Sequence, residues 1–152
     1  QAHNKNQLTD SAHNFEIKAK TCLVNIWQEH FKIILNELID NAIKFSFPSK
    51  PIEICSKEDA ETYSLVIKNY GRGMSEEEIK NASPFIQHNR SYYEQQGNGL
   101  GLAIVQRVGE FYNVDFKIKS EKDSYLEATL TFRKAIRLKN FQQPANNNFV
   151  VI

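Results

Sequence analysis

Apolar residues recur at steps of three and four along one stretch, at Trp27, Phe31, Ile34, Leu35, Leu38, Ile39 and Ala42. That spacing lays a single apolar stripe along a helix over 27–45, which Pro48 and Pro51 bring to an end. Such a stripe must be covered by another element. The flanking segments supply the cover, because they alternate with period two. Phe15, Ile17 and Ala19, then Cys22, Val24 and Ile26, predict a pair of short strands with a bend near Lys20-Thr21. Ile52 and Ile54 alternate with Glu53 and Cys55, Lys57-Glu58-Asp59-Ala60 turns the chain, and 63–68 returns as a second strand. Gly71-Arg72-Gly73 breaks that strand, and Ser75 caps a short helix opening on Glu76-Glu77-Glu78. Carboxylates there suit the positive end of the helix dipole, and Ser75 with Glu78 has capping-box spacing. A second strong helix runs from Gly99 to Tyr112, followed by a hairpin over 114–120 and 125–133. Strands that arrive largely as hairpins, not singly between helices, predict an α+β fold. The expected architecture is a two-layer α/β sandwich, a mixed sheet with helices on one face.

At 152 residues the chain is sized for one domain, and 41% hydrophobic with 24% charged residues suffices for one core. The polar residues 1–13 read as a flexible segment, 14–135 as the folded domain, and 136–152 as a flexible tail. A net charge of +1 supplies no field for nucleic acid. No apolar run approaches the ~20 residues of a membrane span, so no membrane contact is expected of this domain. The two cysteines, Cys22 and Cys55, each fall in an expected strand and form no C-x-x-C pair, so reduced thiols and a cytoplasmic setting follow. The chain starts at Gln1 and its one methionine is Met74, as expected of a fragment or a processed product.

Three polar sets can carry chemistry. Glu37, Asp40, Asn41 and Lys44 fall within about a third of the circumference of the long helix. A carboxylate, an amide oxygen and an ammonium on one face can hold a magnesium ion and a polyphosphate. Alone, this set is better read as a solvated face with pairings along the helix. Gly97, Gly99 and Gly101 alternate at the start of the second helix, where free N–H groups and the helix dipole favour an anion. This is not the dinucleotide fingerprint, since Leu102 stands where a glycine is needed and Ser91-Tyr92-Tyr93-Glu94-Gln95-Gln96 is no hydrophobic strand. It is not a P-loop, since no glycine precedes a lysine. A plain loop at a helix start remains open. In Asn69-Tyr70-Gly71-Arg72-Gly73-Met74, two glycines allow a flat base to lie against backbone, and Asn69 can hydrogen-bond an amino-purine edge; alone, it is more simply a turn.

Together the three sets resemble the catalytic ATP-binding domain of sensor histidine kinases, in the gyrase, chaperone, histidine kinase and MutL (GHKL) ATPase superfamily with its Bergerat fold. The run 35–46, Leu-Asn-Glu-Leu-Ile-Asp-Asn-Ala-Ile-Lys-Phe-Ser, looks like the N box, 69–73 like the G1 box and 97–102 like the G2 box. Phe85 stands where an F box would be, inside an ATP lid over 83–97. The resemblance covers roughly 14–133. It implies Mg2+-ATP as ligand and assigns roles. Asn41 is the magnesium ligand, Glu37 orients water or polarises the attacking nucleophile, and Lys44 contacts phosphate. Gly71 and Gly73 pack under adenine beside Asn69. Gly97, Gly99, Leu100, Gly101 and Leu102 cradle phosphates through their backbone, and Arg90 reaches from the lid toward the γ-phosphate. The lid is expected to order around nucleotide. The implied partners are a histidine-bearing dimerisation domain and a response regulator receiver domain, and Tyr93-Glu94-Gln95-Gln96-Gly97 looks like lids of kinases fused to receivers.

Two features depart from that pattern. The G1 box normally opens with aspartate, and this chain has Asn69. Its amide oxygen can still accept the adenine amino proton, at a loss of about 1 kcal/mol of charge assistance, or it can present its NH2, which would relax base choice. Further, none of His3, His13, His30 and His88 sits in a long amphipathic helix with an acidic neighbour and the arginine-proline sequel that the resemblance implies, and His30 reads as a surface or capping residue. The chain alone is therefore not expected to autophosphorylate. A nucleotide-sensing pseudokinase, an anti-sigma serine kinase and a gyrase-like ATPase are the alternatives.

Overall fold

The computed structural model describes residues 14–82, 99–135 and 149–151. In chain order the elements are β1 (Phe15–Lys18), β2 (Leu23–Asn25), α1 (Gln28–Phe45), β3 (Ile52–Glu58), β4 (Thr62–Tyr70), α2 (Glu76–Ala82), α3 (Gly99–Tyr112), β5 (Asp115–Glu121), β6 (Tyr125–Arg133) and β7 (Phe149–Val151). Five strands form one sheet in the order β1-β3-β4-β6-β5. β1 runs parallel to β3 and every other pairing in that sheet is antiparallel, so the sheet is mixed as expected. α1 packs on β4, α3 on β5, and the two helices pack on each other.

The core follows the two periodicities. α1 buries Phe31, Ile34, Leu38 and Ala42, the centre of its stripe. β4 meets it with Tyr63, Leu65 and Ile67, and β6 adds Ala128, Leu130 and Phe132, all buried at every second position. Each large side chain so buried is worth about 1.5–3 kcal/mol in transfer free energy. α1 ends where Ser46 takes extended backbone and its Oγ donates to the Ala42 carbonyl at 2.5 Å. α3 ends at Asn113, whose φ of 54° puts it in the left-handed region that stops helices, while the Val114 N–H donates to the Gly109 carbonyl at 2.8 Å. Among the described residues no helix is long and apolar enough to cross a membrane.

Several expectations are corrected. β1 and β2 do not pair with each other: β1 joins β3, whereas β2 pairs antiparallel with β7. Alternation identifies a strand but not its partner. Here the bend between them is tied to the β3–β4 hairpin, since Ser56 Oγ accepts from the Lys20 N–H at 2.7 Å and Tyr63 Oη donates to the Lys20 carbonyl at 2.8 Å. Within the tail expected to be flexible over 136–152, Phe149–Val151 form β7, and their β-branched and aromatic character suits a strand. Residues 1–13 and 136–148 lie outside the described residues. Cys22 falls just before β2, not within it, and both cysteines are free and half-buried. His30 caps nothing. Its Nδ1 lies 2.7 Å from Tyr112 Oη, and its ring meets those of Trp27 and Tyr112 edge-on, so it clasps α1 to the end of α3.

Candidate functional site

A pocket opens between the helices and the sheet. α1 lines it with Leu38, Asn41, Ala42 and Phe45, β4 with Ile67 and Asn69, and β6 with Leu126 and Ala128. Gly73 and Met74, from the segment after β4, and Leu102 of α3 complete the lining. The register explains why both strands contribute: Ile67 stands opposite Ala128 and Asn69 opposite Leu126, so all four project on the helix side. The lining is apolar except for two amides. Asn41 Nδ2 and Asn69 Nδ2 are, among the described residues, the buried side-chain nitrogens and oxygens without a hydrogen-bond partner. Buried polar groups in a folded protein are nearly always paired, and an unpaired amide costs about 1–3 kcal/mol. Two such atoms converging on one slot are the mark of a ligand site. Asn69 is itself only 2% exposed.

α3 begins at Gly99, so Gly99, Leu100, Gly101 and Leu102 form its first turn. The N–H groups of that turn have no intrahelical acceptor and, with the helix dipole, suit an anion. Leu102 points inward at 5% exposure while Leu100 is 64% exposed, so their common contribution to a ligand is backbone. The turn lies against α1. A Cβ on Gly101 would run into the Glu37 carboxylate and come within 3.4 Å of Asn41 Nδ2. Glycine at 101 is therefore what lets Glu37 and Asn41, one helical turn apart on α1, stand beside the open end of α3. The structure thus brings Glu37, Asn41 and Gly101 together, with Gly99 two residues before Gly101 in the same first turn. Lys44, one turn further along, is exposed, with its Nζ 5.2 Å from the centre of the Phe45 ring. Asp40 is exposed on the same helix.

The two glycines after β4 differ in what they make possible. Gly73 has a φ of 57° and lines the pocket. A Cβ there would strike the carbonyls of Glu121 and Tyr125 in the β5–β6 hairpin. Gly71 does not line the pocket; a Cβ there would strike the Phe45 carbonyl at the end of α1. It makes room for backbone, not for a ligand, and bridges Ser46. Met74, Ile67, Leu126 and Ala128 were not singled out in the sequence as site residues. Period two on 125–133 was the available signal, but nothing local says which strand it will lie beside. Arg90, Gly97, Phe85 and the expected lid at 83–97 lie outside the described residues, except that α3 starts at Gly99 where the glycine turn predicted a helix.

α2 hangs from the same segment. Ser75 and Glu78 form a reciprocal capping box: the Glu78 N–H donates to Ser75 Oγ at 3.2 Å and the Ser75 N–H to Glu78 Oε2 at 2.8 Å. Arg72 Nη2 also meets Glu78 Oε1 at 2.5 Å. The Ser75 N–H, aided by the Arg72 guanidinium, holds the Glu78 carboxyl below its ordinary value.

The family model of histidine kinase-, DNA gyrase B-, and HSP90-like ATPases matches residues 28–136. The chain belongs to this ATPase family. Among its curated relatives, the heme sensor protein HssS of Staphylococcus saprophyticus is 34% identical over 97 residues, 64% of this chain and 21% of that protein. The sensor histidine kinase YkoH of Bacillus subtilis is 29% identical over 119 residues, 77% of this chain and 26% of that protein. The chain thus spans about a quarter or less of the curated relatives it matches first. Among solved structures, the mycobacterial sensor histidine kinase MprB superposes with a TM-score of 0.66 at 20% identity, covering 80% of this chain and 81% of that one. The ATPase-family fold is therefore that of histidine kinase catalytic domains, as the three boxes implied.

Proposed function

We propose that this chain binds Mg2+-ATP in the pocket and supplies the γ-phosphoryl group to a histidine carried on a separate helical domain. The observation that carries the reading is the convergence of the two unpartnered amides, Asn41 and Asn69, on one apolar slot beside the open first turn of α3. An apolar slot with a buried amide suits a flat purine, and free N–H groups suit a polyphosphate. Asn69 and Gly73 are the base end. Asn41, Lys44 and the backbone of 99–102 are the phosphate end, with Gly97 and Arg90 assigned to it on the resemblance alone. The Asn41 amide oxygen would hold magnesium, which binds through one or two protein oxygens plus phosphate and needs no dedicated cage. Magnesium would offset the charge that builds on the phosphate oxygens during transfer. Glu37, beside Gly101, would orient the attacking group. The rest of the catalysis is positioning.

The acceptor histidine would stand on the dimerisation domain of the parent kinase, and a response regulator receiver would take the phosphoryl group from it, in the cytoplasm. The test mixes this chain with the histidine-bearing domain and γ-labelled ATP, with magnesium. An acid-labile, base-stable label on the histidine domain, lost when Asn41→Ala or Glu37→Ala is used, is the expected result. Calorimetry that detects no heat of binding at millimolar Mg2+-ATP defeats the proposal outright.

A further inference from the structure

Among the described residues, the lining of the pocket leaves base recognition to one side chain. Asn69 stands on β4 with Ile67 beside it, Leu126 opposite, and Gly73 and Met74 beyond. Asn41 is the other polar side chain among the described lining residues, and it lies beside Gly101 at the phosphate end. Among the described residues, what a bound base presents at its six-membered-ring edge is therefore met by the Asn69 amide. We propose that this pocket accepts 6-oxopurine nucleoside triphosphates alongside ATP, because Asn69 reads both kinds of edge. The inference rests on the reading that the pocket holds a purine nucleotide.

The chemistry is one of complementarity. A 6-aminopurine offers a donor at the exocyclic amine and an acceptor at N1. A 6-oxopurine offers the reverse, an acceptor at O6 and a donor at N1–H. A carboxylate is acceptor-only, so it welcomes the amine and repels O6. An amide carries an acceptor oxygen and a donor NH2 on one carbon, and a half-turn about its last torsion exchanges them. It can meet either edge with a pair of hydrogen bonds. For one edge to be preferred, the half-turn must be blocked by a protein partner. Among the described residues none holds it: Asn69 Nδ2 is buried and has no acceptor there. Since sites discriminate strongly only when the wrong ligand leaves a buried polar group unpaired, a side chain that pairs with both edges discriminates weakly.

Inosine triphosphate is the clean probe, since its base differs from that of ATP only at this edge. Calorimetric titrations of the 152-residue chain with ATP and with inosine triphosphate, each with magnesium, should give dissociation constants within about tenfold of each other. In N69D, checked for an unchanged circular dichroism spectrum, the preference for ATP should widen by at least about tenfold. Inosine triphosphate weaker than ATP by more than that in the unaltered chain overturns the inference while leaving the ATP site standing. So does an N69D ratio equal to that of the unaltered chain, because selectivity would then lie elsewhere. Binding of neither nucleotide overturns the ATP reading and this inference together. Should N69D not fold, the comparison in the unaltered chain decides alone.

Discussion

At the scale of single residues, Gly73 and Gly101 make opposite predictions. Gly73 lines the pocket, Gly101 stands beside Asn41 of the lining, and both exclude a Cβ, but against different neighbours. At Gly73 the obstacle is backbone, the carbonyls of Glu121 and Tyr125, and the φ of 57° is already unfavourable for an L side chain. Gly73→Ala should therefore cost about 2–3 kcal/mol of stability in urea melts, since neither strain nor collision can relax cheaply. At Gly101 the obstacle is the far end of the Glu37 side chain, which can swing aside. Alanine also gains about 1 kcal/mol of helix propensity over glycine. Gly101→Ala should thus keep stability within about 1 kcal/mol of the unaltered chain, yet displace the Glu37 carboxylate and lower phosphoryl transfer at least about tenfold. An equal loss of stability in the two variants would show that Gly101 serves the fold and not the site.

At the scale of elements, the capping box of α2 carries a pH dependence. The Glu78 carboxyl is held below its ordinary value by the Ser75 N–H and then by Arg72, so its folded pKa lies below its unfolded one. A depressed carboxylate adds stability above the unfolded pKa, about 4.3, and loses it as pH falls through the folded pKa. Glu78→Gln should therefore destabilise the chain at pH 7, and the gap to the unaltered chain should close as the pH is lowered below about 4. Denaturant melts at several pH values measure this, and a gap that persists at low pH would assign the effect to packing. This cap was legible in the sequence because its partners are three residues apart. So were α1 and α3, whose stripes are local periodicities, and the Glu37–Asn41 face, which follows from helix geometry. What could not be read is non-local. β4 pairs with β6 across α2, α3 and β5, so nothing near Leu126 or Ala128 announces that they will line the same slot as Asn69. The partners of β1 and β2 are likewise set by contacts with distant strands, and β7 is a three-residue pairing partner far along the chain. The reason for Gly71 was hidden for the same cause: the backbone it accommodates belongs to Phe45.

At the scale of the whole molecule, the pocket is a joint. Its lining comes from α1, β4, the segment after β4, α3 and β6, and its two amides stand on different layers, Asn41 on α1 and Asn69 on the sheet. The apolar core already holds those layers together, with Ile34, Leu38 and Val105 meeting Leu65, Ile67 and Leu130 in one buried cluster. A ligand that satisfies Asn41 and Asn69 at once would add a tie between helix layer and sheet that exists only in the folded state. Ligand binding to the folded state alone raises stability by about 2.7 kcal/mol at a hundredfold excess over the dissociation constant. For a chain of this size that is a rise of about 5–10 °C in melting temperature. Mg2+-ATP should produce it. Adenosine, which reaches only the base end, should produce a small fraction of it at the same concentration, and Asn41→Ala should remove most of the effect of Mg2+-ATP while leaving that of adenosine. The comparison separates the two ends of the pocket. If adenosine and Mg2+-ATP raise the melting temperature equally, the first turn of α3 contributes nothing to binding, and the assignment of 99–102 as the phosphate cradle fails even though the base slot stands.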